Sequence, residues 1–181
     1  MKVIKKLIWL GILIVLASIL SILDRYISSI IMPLIPVIGS FIANIKIGLA
    51  NLIILYIIEH FDLKYNLLGI ILKSTIIGFI YGSMITFLIG LLGTILSFIS
   101  MYIINKLLTG THKYIFISIV GGFTHMLGQM IMVFIFYKVE FSINSLLLYS
   151  PFVLTIGIIS GLCIGLIYDN IRKVLNNIIK Q

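Results

Sequence analysis

The chain has 181 residues, of which 61% are hydrophobic and only 10% charged, and its mean hydropathy is +1.28. Soluble domains stand near 45–50% apolar and about 25% charged, so this composition excludes one and reads as an integral membrane protein. The formal net charge is +8, but its 13 Lys and Arg fall between apolar runs and form no stripe; they read as topology signals, with no nucleic acid implied.

Lys2, Lys5 and Lys6 precede an apolar run, and the first helix is expected over 4–23, uncleaved because no small-x-small cleavage site follows. Ala17 and Ser21 make a small-xxx-small pair that lets another helix approach closely. Residues 24–44 are an apolar connector broken by Pro33, Pro36 and Gly39, expected to pack at the membrane boundary as a lid. Helix two is expected over 45–58. Lys46 at its start either snorkels to the interface or faces a ligand, and Asn51 sits one and a half turns further in. A short polar loop, Glu59 to Asn66, follows. The long apolar stretch 67–105 is enough for two helices, expected over 67–82 and 86–106. Lys73-Ser74-Thr75 looks like the tail of a phosphate-binding loop, but Leu67 and Leu72 stand where that pattern needs glycine. Helix four carries a narrow face of small residues that includes Gly93, Thr94 and Ser97.

Helix five, expected over 114–137, is the run that asks for an explanation. It spans roughly 36 Å, enough to cross a bilayer core, and His125 falls near its centre. At 100° per residue Ser118, Gly121, Gly122, Thr124, His125, Gly128 and Gln129 share one face, while Phe123, Met126, Leu127, Met130 and Phe134 share the opposite one. A polar face in hydrocarbon is expensive, so this one must meet protein, water or a ligand. Helix six, expected over 147–168, carries Gly157, Gly161 and Gly165 at four-residue spacing, a close-packing seam. Its Cys163, the only cysteine, excludes an intrachain disulfide and reads as a packing residue.

The expected fold is thus all-α, a bundle of six transmembrane helices in a single domain over 1–181. Placing both termini in the cytoplasm gives that side Lys2, Lys5, Lys6, Lys64, Lys106, Lys113, Arg172, Lys173 and Lys180. The other side receives Arg25, Lys46 and Lys138, so nine basic residues face three, as the positive-inside rule requires. Asp24, Glu59, Asp62, Glu140 and Asp169 are the only carboxylates, and all read as helix ends or loops. No catalytic or nucleotide motif and no metal-ligand cluster can be drawn, so neither an enzyme nor a bound cofactor is expected. Binding remains. His125, Gln129, Asn51, Lys46, Thr124 and Ser97 are the candidate ligand contacts, although each also fits a packing role.

Four stretches carry a resemblance: Lys-Ile-Gly-Leu-Ala-Asn (46–51), Gly-Thr-Ile-Leu-Ser-Phe-Ile-Ser-Met (93–101), Ser-Ile-Val-Gly-Gly-Phe-Thr-His-Met-Leu-Gly-Gln (118–129) and Tyr-Ser-Pro-Phe (149–152). In this order they resemble the Gx transporter family, also labelled heptaprenyl diphosphate synthase component I. The resemblance implies a substrate-binding S component of an energy-coupling-factor importer in a bacterial plasma membrane. It implies six helices, a small-molecule ligand, a transmembrane coupling subunit and ATPase subunits on other chains. Ala17 and Ser21 would then face the coupling subunit. The alternative is an accessory subunit of heptaprenyl diphosphate or quinone synthesis; the aspartate-rich motifs that hold magnesium and diphosphate in prenyl synthases are missing.

Overall fold

The computed structural model describes residues 3–31, 47–110, 112–137 and 143–180. The chain folds into six helices: α1 (Val3–Ile31), α2 (Asn51–His60), α3 (Leu63–Tyr81), α4 (Met84–Leu107), α5 (Lys113–Tyr137) and α6 (Ile143–Lys180). Five of them, all but α2, are long and apolar enough to cross a membrane. The expectation of six spans is corrected on this point: α2 has 10 residues and reaches only about 15 Å, half a bilayer core.

α2 is nonetheless the hub of the bundle. Its sequence is apolar on every side, which suits a helix surrounded by protein. All residues from Asn51 to Ile58 are buried, and the helix touches α1, α3, α4, α5 and α6. α5 packs most extensively, against α4 on one flank and α6 on the other. Glycines permit both approaches. A methyl group on Gly128 would stand 2.8 Å from Gly93 Cα of α4, and one on Gly157 would stand 2.7 Å from the Gly122 carbonyl of α5. Gly161 and Gly165 meet the α5 backbone at Ser118 and Ile115 in the same way, so the three glycines of α6 lie along a single helix–helix seam.

Helix ends depart from expectation where a polar residue finds a distant partner. α1 runs eight residues past the expected end at 23, through Asp24-Arg25-Tyr26. Asp24 accepts backbone N–H groups from the turn before α2, and the Arg25 guanidinium lies over the Tyr81 ring, 4.0 Å from its centroid. The remainder of the connector, residues 32–44, lies outside the described residues. α3 begins at Leu63 rather than 67, shrinking the expected loop to a turn at Phe61 and Asp62. α3 ends on Gly82 in the left-handed conformation (φ 58°), and the Ser83 hydroxyl caps α4 by accepting the Thr86 N–H at 3.2 Å. α6 is 38 residues long instead of 22, because its polar tail continues the helix. Pro151 within it cannot donate to Leu147, and the Ser150 hydroxyl bonds that carbonyl instead.

One face of the bundle carries both ends of the described chain. Lys6 of α1 pairs with Asp62 at 2.6 Å. Glu59, at the end of α2, accepts the hydroxyls of Tyr114 (2.7 Å) and Tyr168 (2.8 Å) and the guanidinium of Arg172, tying α2 to the start of α5 and the end of α6. Tyr56 reaches Asn176 at 2.7 Å and extends the clasp along the α6 tail. Burial alone would push the Glu59 carboxyl up, but the two phenol hydrogen bonds and the Arg172 charge outweigh it and hold it below the usual carboxylate range.

Candidate functional site

From the Glu59–Tyr114 contact, α2 and α5 both run inward. Gly48 lies 11 residues before Glu59, and His125 lies 11 residues after Tyr114. At 1.5 Å per residue each is roughly 17 Å in, near the middle of a 30 Å core. The two meet there. A methyl group on Gly48 would stand 3.2 Å from the His125 ring and 3.1 Å from the Asn51 amide nitrogen. Gly48 has φ +103°, a conformation that favours glycine, and it turns the chain into α2 at this depth. On the other side of the imidazole lies Gly93 of α4, where a methyl group would stand 3.3 Å from His125 Cε1 and 2.8 Å from Gln129 Cγ. Three of the expected ligand contacts, Asn51, His125 and Gln129, are thus brought together, at 2%, 3% and 0% exposure. The Asn51 amide has no hydrogen-bond partner at either end among the described residues.

The turn that starts α2 is held from two sides. The fully buried Asp24 carboxylate of α1 accepts the N–H of Gly48 at 2.6 Å and of Leu49 at 3.2 Å. It therefore occupies the positive end of the α2 dipole and satisfies two of the orphan donors there. Its other oxygen has no hydrogen-bond partner among the described residues. From α6, Ser160 donates to the Ile47 carbonyl at 2.9 Å. Lys73 of α3, 7% exposed, does not snorkel to the surface but donates to the Thr94 hydroxyl of α4 at 3.1 Å, and its charge acts on Asp24. A half-length helix whose N-terminus stops at mid-bilayer among polar side chains is an arrangement in which transporters hold small polar solutes.

The other expected site residues stand elsewhere. Thr124 turns to α4, where its hydroxyl meets that of Ser100 at 2.7 Å, an interhelical bond. Ser97 is buried further along α4, beside Gly121. Lys46 lies outside the described residues. Ala17 and Ser21 are both buried within the bundle, so their side chains offer no surface to another chain; the open face of α1 is that of Val15, Ile19 and Ile22. Asp24 was read as a helix end and the spans as free of carboxylates; both readings are overturned. Its signal was present in the sequence. Ala17, Ser21, Asp24 and Ser28, spaced four, three and four apart, make one inward face.

Apolar helices of crossing length around a polar, buried centre define a multi-pass helical membrane protein. The profile of the family described as heptaprenyl diphosphate synthase component I matches residues 13–171, and the chain belongs to that family. No curated protein and no solved structure matches it.

Proposed function

We propose that the chain is the membrane-embedded binding component of a small-molecule uptake transporter, similar to the S components of energy-coupling-factor importers. Energy comes from ATPase and coupling subunits on other chains, and this chain catalyses nothing itself. The observation that carries the reading is the Asn51–His125–Gln129 group at mid-bilayer depth, where a buried amide without a described partner stands beside an imidazole and a second amide. Packing alone gives no reason to keep such groups there, since each unpaired buried donor or acceptor costs about 1–3 kcal/mol. A ligand supplying complementary groups removes that cost. With the side chains covered, entry requires part of the bundle to move. The chain would sit in a bacterial plasma membrane with both termini cytoplasmic.

The family description favours a second reading, an accessory membrane subunit of heptaprenyl diphosphate synthesis with the chemistry on a partner. Affinity purification in mild detergent separates the two. Recovery of a membrane coupling subunit with ATPases supports uptake; recovery of a soluble prenyl synthase whose activity falls when this chain is deleted supports the accessory role.

A further inference from the structure

A second polar locus lies between the His125 group and the face that carries both termini. It is an enclosed void of about 10 Å³ among α1, α2, α3 and α4. Eight of its ten lining residues are apolar, Ile14, Ile57 and Phe98 among them; the two polar ones are Asn66 and Lys73. Asn66 is 2% exposed, one turn inside the Phe61–Asp62 turn, and neither end of its amide has a hydrogen-bond partner among the described residues. Lys73 follows it by seven residues, two helical turns along the same face of α3.

We propose that this void is an internal water site, held by the Asn66 amide and the Lys73 ammonium. The size argues for it, since a void of about 10–15 Å³ on this measure admits one water. So does the chemistry. A water needs two to four polar partners, and Asn66 supplies both a donor and an acceptor while the ammonium supplies a donor. An apolar void of the same size would stay dry. The water solvates a cation buried well inside the bundle. It also carries a polar chain from Asn66 through Lys73 and Thr94 to the edge of the His125 group. Hydration of the interior thus reaches the site from the face that carries the termini. The inference does not depend on the transport reading and stands if no ligand is found.

Radiolytic hydroxyl-radical labelling in ¹⁸O-water tests it on the full chain in detergent. Ile57 lines the void and Ile53, four residues earlier on the same helix, does not, although both are buried. Ile57 is expected to take up ¹⁸O at least tenfold faster than Ile53 in the wild type, and to fall to the Ile53 rate in Asn66→Leu. Gly69→Ala is the second variant. Its added methyl would stand 3.8 Å from both Ile14 and Ile57, ordinary contact distance, so it takes up part of the void without strain and should lower the labelling too. Equal rates at Ile57 and Ile53 in the wild type would overturn the proposal. So would labelling of Ile57 that is unchanged in both variants.

Discussion

Asp24→Ala is the substitution with the largest consequence for the interior. It removes the acceptor of two N–H groups, at Gly48 and Leu49, in a place where water does not replace it. Each orphaned donor costs about 1–3 kcal/mol. Loss of a negative charge at the start of α2 adds about 0.3–2 kcal/mol. The expected destabilisation is about 3–5 kcal/mol, a large share of a marginal stability. Asp24→Asn keeps a carbonyl oxygen in the same position and loses only the charge, so it should cost about 1–2 kcal/mol. Unfolding in mixed micelles with rising SDS, followed by the fluorescence of Trp9, reports both. Trp9 is the only tryptophan and packs against the core around α1 and α2. The reasoning fails if Asp24→Ala unfolds within about 0.5 kcal/mol of the wild type, or if the asparagine variant is as unstable as the alanine one.

Gly93→Ala places a methyl group 2.8 Å from Gln129 Cγ and 2.9 Å from the His125 carbonyl, so it should cost about 1–3 kcal/mol and lower the melting temperature of the purified protein; an unchanged value would contradict the close crossing. The Glu59 carboxyl is held low in the folded state. Its contribution is therefore fully present above its unfolded pKa, near 4.5, and is lost as pH falls through the lower folded value. Melting curves should show this acid loss in the wild type and a flatter profile in Glu59→Gln. A carboxy-terminal green fluorescent protein fusion should fluoresce and an alkaline phosphatase fusion at the same point should stay inactive, as nine basic residues against three require; an active phosphatase would reverse the orientation.

The long apolar runs made α4 and α5 legible to within two residues at each end, because their boundaries follow from composition alone. α1 and α6 were read too short for one reason. A polar residue at the edge of an apolar run looks like a terminus until its partner is known, and the partners lie far away in sequence. Asp24 finds Gly48, and Tyr168 and Arg172 find Glu59. The 3.6-residue period placed His125 and Gln129 on one face, and Asn51 was singled out as a polar residue inside an apolar run. That these three meet depends on α2 stopping at half depth, which no local pattern encodes. Lys73 shows the same limit, since periodicity cannot distinguish a lysine that reaches for the surface from one that reaches Thr94.

The central claim is that the polar group at mid-bilayer depth holds a ligand. Native mass spectrometry of the chain released from detergent tests it most directly. The account predicts one small-molecule adduct on the wild type, lost in His125→Ala and Gln129→Ala and kept in Thr124→Ala, whose hydroxyl is engaged with Ser100. A bare wild-type mass, or the same adduct on all four proteins, would contradict it.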